Sequence, residues 1–240
     1  MRLLIVIPTY NEAQNIAGLI HRIQCILGST LAPHILVVDD SSPDGTRDIV
    51  TALARQAYPG RISTLCRPAK MGLASAYVSG FRWGLARDFE AIVEMDADFS
   101  HDPIYLPRMA TALRRHDFIV GSRYTAGGGV RGWRAWRRIV SRGGSLYAQA
   151  ILGLPIGDLT GGYNLWSRMV LEHIGLDRIR SDGYSFQIEL KYRAVRQGFR
   201  GLEIPIIFED RFAGHSKMSR RIVCEAAWRV WQLRLTRHRL

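Results

Sequence analysis

Short apolar runs closed by polar clusters set the rhythm of the first 120 residues. Arg2–Ile7 reads R-L-L-I-V-I and stops at Pro8, the pattern of a strand buried on both faces of a parallel sheet. The polar turn Pro8–Glu12 leads into Ile16, Leu19, Ile20 and Ile23 at helical spacing, which predicts a helix over 12–27. Ile35–Val38 is a second apolar run; D-D-S-S-P-D-G-T at 39–46 follows it, dense in turn residues, and then a helix to about Ala57. Strands at Ile62–Cys66, Ala91–Met95 and Phe118–Val120 alternate with helices at Gly72–Ala86 and Pro103–Arg114. Asp102-Pro103 reads as a helix start, with Asp at the N-cap and Pro at the first helical position. This repeated β-α alternation predicts an α/β fold with a mostly parallel sheet and helices on both faces. Ligands of such sheets bind beyond the carboxyl ends of the strands, where Pro8–Glu12, Asp39–Thr46 and Asp96–Ser100 fall.

The regularity breaks after Gly121. G-S-R-Y at 121–124 runs into Gly127–Gly129, and Arg131–Arg138 interleaves arginines with Trp133 and Trp136. A helix over Ile139–Leu154, a glycine-rich polar turn at Asp158–Tyr163, a helix over Phe186–Arg196 and a strand over Leu202–Phe208 are predicted next. From Arg220 the chain alternates apolar residues with arginines at the spacing of an amphipathic helix. We therefore divide the chain into a main domain, 1–219, and a basic C-terminal helix, 220–240, that either packs on the domain or lies on a membrane surface.

Charge changes the picture. With 33 Lys and Arg against 21 Asp and Glu, the net charge is +12, which implies anionic partners. Indole favours the water–lipid boundary and arginine pairs with phosphate, so the Arg/Trp block and the basic helix point to an anionic membrane rather than to nucleic acid. No uninterrupted apolar run is long enough for a transmembrane helix, and Met1–Ile7 meets Pro8 before a signal-peptide core can form. Three scattered cysteines fit neither a disulfide framework nor a metal site. The expected location is the cytoplasm, peripheral on the cytoplasmic face of a membrane.

The candidate chemistry centres on E-M-D-A-D-F-S at 94–100. On an extended backbone Asp96 and Asp98 point to the same side, roughly 6–7 Å apart, and can share a hard divalent cation. Alternatively, one holds the metal and the other a sugar hydroxyl, or the motif is a polar loop with two solvated acids. A dinucleotide fingerprint and a G-x-S-x-G nucleophile are both absent, and i, i+2 carboxylates do not flank a glycosidic bond. Asp210-Arg211 with Gly214 and Lys217 suits a flexible phosphate clamp. His101, His215, Gln187 and Glu189 are assigned no role.

Six ordered motifs, P-T-Y-N-E at 8–12, V-V-D-D-S-S-P-D-G-T at 37–46, E-M-D-A-D-F-S-H-D-P at 94–103, G-S-R-Y at 121–124, S-R-G-G at 141–144 and D-R-F-A-G-H-S-K-M-S at 210–219, resemble the polyprenyl-phosphate (dolichyl-phosphate) mannosyltransferases of glycosyltransferase family 2. The resemblance implies a GT-A fold and inverting transfer of mannose from GDP-mannose to a polyprenyl phosphate, with Mg²⁺ or Mn²⁺. It implies that Pro8, Tyr10, Glu12, Asp39, Asp40 and Ala97 serve the donor, with Arg211 and Lys217 on its phosphates. Asp96, Asp98 and Ser100 would serve the metal, and Arg123, Arg137 and Ser141 the acceptor phosphate; Asp158, in the glycine-rich turn, is our candidate for an orienting carboxylate near the metal. Some members carry Gln at the position of Ser100. Many carry C-terminal transmembrane helices; this chain reads as the form without them, for which an integral-membrane partner is implied. A UDP-glucose-dependent enzyme of the same fold and a non-catalytic basic module binding membrane or RNA are the competing readings.

Overall fold

The computed structural model describes residues 1–210 and 220–236, with backbone alone for 220–226. Strands β1 (Leu3–Thr9), β2 (His34–Asp39), β3 (Ile62–Cys66) and β4 (Ala91–Glu94) alternate with helices α1 (Ile16–Leu27), α2 (Thr46–Gln56) and α3 (Leu73–Leu85). Then come α4 (Leu106–Ala112), β5 (Phe118–Ser122), β6 (Gly129–Val130), α5 (Ala135–Leu152), β7 (Asn164–Ser167), α6 (Arg168–His173), α7 (Gly183–Arg196), β8 (Gly201–Pro205), β9 (Ile207–Phe208) and α8 (Arg220–Leu235). Seven strands form one sheet in the order β3-β2-β1-β4-β7-β5-β8, and β6 and β9 pair separately. Every pairing in the large sheet is parallel except those of β7, which runs antiparallel between β4 and β5.

The strands read as unbroken apolar runs because alternate residues feed two cores. Leu4, Val6, Leu36, Val38 and Ile92 face α3, α5, α7 and α8, whereas Leu3, Ile5, Ile7, Ile35 and Val93 face α1, α2 and α4. Helix α3 lies unusually close to the sheet. A Cβ on Gly84 would stand 2.6 Å from both Ile92 Cδ1 and Leu4 Cδ2, and one on Gly80 would collide with Val6. Only glycine at these two positions permits that approach.

Several predicted boundaries move for identifiable reasons. The first helix begins at Ile16, not Glu12, because Glu12 accepts the Asn15 side-chain amide at 2.8 Å in a turn that precedes the helix. The helix over 103–114 is a 3-10 turn at Pro103–Tyr105 followed by α4, with Asp102 capping Ile104 N–H as expected. The strand over 202–208 divides: Pro205 closes the main-sheet ladder, having no N–H to continue it, and β9 leaves to pair with β6. Strand β7 was not foreseen, since N-L-W-S is four residues long with polar ends.

Helix α8 packs on the domain. Val230 and Leu233 are buried in the core shared with α5 and α7, Tyr147 donates its hydroxyl to Ala227 O at 3.3 Å, and Arg229 donates to Arg180 O at 2.6 Å. Trp228, Trp231 and Leu235 stay exposed. Of the Arg/Trp block, Trp136 is exposed, but Trp133 is buried against Phe208 with ring centroids 5.3 Å apart, so it is a core residue rather than a boundary one. Among the described residues no helix is long and apolar enough to cross a membrane.

Candidate active site

The carboxyl ends of β1, β2 and β4 meet at one edge of the sheet. Beyond each lies a non-glycine residue with positive φ: Asn11 at 62° and Ser41 at 56°, two residues past β1 and β2, and Phe99 at 62°, five residues past β4. Such backbone is held only where its surroundings over-determine it, and it concentrates at functional sites. Here the surroundings are hydrogen bonds between loops. Ser42 Oγ accepts Asn11 N–H at 3.0 Å, Thr46 Oγ1 accepts Glu12 N–H at 3.0 Å, and Asp44 accepts Ala13 N–H at 3.0 Å.

Asp39 and Asp40 are both buried and do different things. Asp39 accepts the Thr9 hydroxyl at 2.8 Å and the Ser42 hydroxyl and N–H at 2.6 and 3.0 Å, tying β1 to β2 at the rim. Asp40 binds Arg67 in a fork at 2.6 and 2.7 Å. Arg67 also donates to Ser75 Oγ at 2.6 Å and Gly72 O at 3.1 Å, so the pair fixes the turn into α3. Pro8 and Glu12 are half-buried, and Tyr10 is exposed with Lys70 Nζ 4.1 Å from its ring centroid. Neither Arg67 nor Lys70 was singled out from sequence. A basic residue following a strand end was the available signal.

Strand β4 ends at Glu94, where Met95 N–H donates to Val6 O at 3.2 Å, and Asp96–Ser100 forms a bend beyond it. The two carboxylates are therefore not paired on an extended backbone, as i, i+2 spacing suggested. Asp96 is half-buried; Ala97, Asp98 and Ser100 are buried. Asp96 Oδ1 accepts the Tyr77 hydroxyl at 2.9 Å, and its N–H donates to His101 Nδ1 at 3.0 Å. Asp98 Oδ1 accepts the Ser100 N–H at 3.1 Å and hydroxyl at 2.6 Å. Among the described residues no three His, Cys, Asp or Glu side chains converge to hold a metal unaided. Two carboxylates and a hydroxyl on one bend instead fit a hard cation that takes its other ligands from a diphosphate and water.

Beneath the bend lies a buried charge network. Glu94 accepts hydrogen bonds from Trp166 Nε1 at 2.9 Å, Gln187 Nε2 at 2.7 Å and Asn164 Nδ2 at 3.1 Å. Burial raises its pKa to about 7 against the opposing pull of Lys191 and these donors. Lys191 donates to Gly161 O at 2.7 Å, and burial lowers its pKa to about 8 although Asp158 and Glu94 act the other way. Asp158, fully buried, binds Arg123 in a fork at 2.6 and 2.7 Å; burial works against its charge, but Arg123 more than compensates and its pKa is lowered. Arg123 is ringed by Tyr124, Trp133 and Phe208 at 5.0–5.6 Å. Arg123, expected on the acceptor phosphate, and Asp158, expected as an orienting carboxylate near the metal, are thus held against each other in a buried ion pair. Each partner neutralises the other, which is what burial of both charges demands.

The other acceptor-side candidates lie close to this pair: Arg123 and Arg137 both face the Trp133 ring, and Thr160, which accepts from Arg123 at 2.9 Å, lines a cleft with Ser141. Ser141 is buried and accepts the Tyr124 hydroxyl at 2.6 Å. Arg137 lies 4.1 Å from the Trp133 ring and donates to Asp210 at 2.8 Å; its Nε is buried without a hydrogen-bond partner among the described residues. Between α5, α7 and α8 opens a cleft of about 420 Å³, apolar along Val140, Tyr147, Ile188 and Val230 and polar at Ser141, Thr160 and Tyr184. Arg211 and Lys217 lie outside the described residues.

A model of the family described as Glycosyl transferase family 2 matches residues 4–175. The chain belongs to glycosyl transferase family 2. An undecaprenyl-phosphate mannosyltransferase of Micrococcus luteus is 44% identical over 230 residues, covering 96% of this chain and 93% of its own. A polyprenol monophosphomannose synthase of Mycolicibacterium smegmatis is 45% identical over 237 residues, covering 97% and 88%. Among solved structures, a mannosyltransferase from Pyrobaculum calidifontis in complex with GDP-Man and Mn²⁺ superposes with a TM-score of 0.59 at 18% identity, over 90% of this chain and 58% of that one. Glucosyl-3-phosphoglycerate synthase from Mycobacterium tuberculosis, in complex with Mn²⁺, UDP and its product, gives 0.67 at 17% identity, over 98% and 79%. At such identities these two share the fold, which is the GT-A type expected of this glycosyltransferase.

Proposed function

We propose that this glycosyltransferase transfers mannose from GDP-mannose to a polyprenyl phosphate, with inversion at the anomeric carbon and a divalent cation, Mg²⁺ or Mn²⁺, on the donor diphosphate. The observation that carries the reading is a juxtaposition within one fold. A carboxylate bend suited to a cation and diphosphate stands at the carboxyl end of the sheet, and a largely apolar cleft lined also by Ser141 and Thr160 opens between α5, α7 and α8. A lipid phosphate matches that cleft, with its chain against Val140, Tyr147 and Ile188 and its head toward Ser141 and Arg137. The names of the two relatives at 44% and 45% identity point to the same acceptor class and sugar.

The chemistry asks little of a general base. A phosphomonoester is already anionic near neutral pH, its second pKa being about 6. One of its oxygens forms the new bond to the anomeric carbon while the bond to GDP breaks on the opposite face, and the electron pair leaves with the diphosphate. A bound cation would supply charge neutralisation for that leaving group. The chain's own task is to hold two anionic substrates in line and shield them from water. Asp96 and Asp98 serve the donor side, and Arg137 with Ser141 the acceptor side. Pro8, Tyr10 and Glu12, at the carboxyl end of β1, and Ala97, beyond β4, would serve the nucleoside part of the donor.

Labelled GDP-mannose and UDP-glucose, each with a short-chain polyprenyl phosphate, test the proposal. Mannolipid should form from GDP-mannose alone, stop on chelation, and be lost in Asp96→Ala and Asp98→Ala without loss of fold, because groups at a strand end add little to the core. Full activity of either variant in saturating Mn²⁺ would overturn the site, and glucolipid formation from UDP-glucose would overturn the donor.

A further inference from the structure

Asp96 is gripped at two points by residues to which the proposed reaction assigns no role. The first is Tyr77. Its hydroxyl donates to Asp96 Oδ1 at 2.9 Å, and its ring is fully buried, stacked on Phe186 at 6.2 Å and 8° and on Phe81 at 6.2 Å and 25°. Tyr77 reaches Asp96 because α3 lies against β1 and β4 at Gly80 and Gly84, where any side chain would push the helix away. The second grip is His101. Its Nδ1 accepts the Asp96 N–H at 3.0 Å, which places the ring proton of the neutral imidazole on Nε2. The ring is buried, stacked on Tyr163 at 4.8 Å and 11°, with Phe208 edge-on at 5.6 Å. Tyr163 is itself fixed, donating its hydroxyl to Asp102 O at 3.0 Å.

One contact sets the side-chain torsion and the other the backbone plane. Together they leave Asp96 Oδ2 as the carboxylate oxygen with no hydrogen-bond partner among the described residues, on a side chain that is half-exposed. We infer that Tyr77 and His101 are positioning residues that clamp Asp96 from its side chain and its backbone, so that one defined oxygen meets the cation or donor diphosphate. The inference rests on the proposed reading of Asp96. It parallels the general behaviour of metal ligands, whose outer partners fix orientation and cost about 10–100-fold in affinity or activity when removed.

Tyr77→Phe is the decisive variant, since it deletes one oxygen and keeps the stacked ring. Mn²⁺ binding in the presence of GDP, followed by electron paramagnetic resonance, should weaken by about tenfold, and kcat should fall comparably with the acceptor KM unchanged. His101→Phe should move the same way. His101→Asn, whose amide oxygen can accept the Asp96 N–H, should recover Mn²⁺ binding to within about threefold of the native protein. Thermal melting of each variant identifies loss of fold. Native-like Mn²⁺ affinity and kcat in both Tyr77→Phe and His101→Phe overturn the clamp while Asp96→Asn remains impaired. If Asp96→Asn also binds Mn²⁺ and turns over like the native enzyme, the reading of the site itself fails.

Discussion

Glu94 is a carboxylate at the end of a central strand, with no exposure and three neutral donors on its oxygens. Its pKa of about 7 is raised by burial above the ordinary carboxylate value. The folded state thus binds the proton more tightly than the unfolded one. The corresponding stability is fully present below the unfolded pKa, near 4.5, and is lost as pH rises through about 7. A window of that width corresponds to something on the order of 3 kcal/mol. Denaturant melts at pH 5 and pH 7.5 should show native stability falling with pH, and Glu94→Gln should flatten that slope whatever its own stability; an equal slope in both proteins would rule the residue out. Sequence reveals such a residue poorly. Asp39, Asp96 and Asp98 were legible because they sit in polar clusters at strand ends. Tyr77 and Lys191 lie in apolar or mixed segments, and what marks them is a partner that only folding brings near: Gly161 for Lys191, and Asp96 for Tyr77, 19 positions away.

At the scale of elements, an ion pair joins α5 to the segment just past β9. Arg137, in the first turn of α5, donates to Asp210, just past β9, at 2.8 Å and lies 4.1 Å from the Trp133 ring centroid. A carboxylate at that distance competes with an incoming phosphate for the same guanidinium. A charge-assisted contact to phosphate is worth about 1.5–3 kcal/mol, or a roughly ten- to hundredfold effect. Arg137→Ala should therefore raise the acceptor KM by about that factor with little change for GDP-mannose, whereas Asp210→Asn should lower the acceptor KM, and steady-state kinetics with each substrate varied in turn decides both. The same region shows where element prediction stops. The β-α alternation of the first 120 residues was readable because each strand is buried on both faces and each helix has one apolar side. Strand β7 was not, because its four residues gain strand character only by lying between β4 and β5. Likewise, α5 begins at Ala135 rather than Ile139, four residues earlier than the apolar spacing indicated, since its first turn is stabilised by Arg137 on Trp133 and Asp210 rather than by an apolar face.

At the scale of the molecule, the question is what faces the polyprenyl chain. Helices α5 and α8 pack side by side, bury Ala148, Leu152, Val230 and Leu233, and still leave large apolar side chains in solvent. On α5 these include Trp136 and Ile139, at 53% and 72% exposure; on α8 they include Trp228 and Leu235, at 63% and 73%. The net charge of +12 supplies attraction to anionic headgroups. The alternatives of packing and membrane contact are thus not exclusive for α8, because its inner residues are spent on the core and its outer ones are free. Burying an indole in the interface gains apolar transfer energy, and long-range charge adds a term that salt screens. Native protein should therefore sediment with phosphatidylglycerol-rich vesicles at low salt and less so as ionic strength rises. Trp136→Ser combined with Trp228→Ser should reduce the bound fraction several-fold. Trp133→Ser is the informative control: its ring is buried, so that variant should lower thermal stability rather than vesicle affinity. If the native protein stays in the supernatant at low salt, these helices do not anchor it, and a membrane-embedded partner would have to bring the lipid phosphate to the cleft.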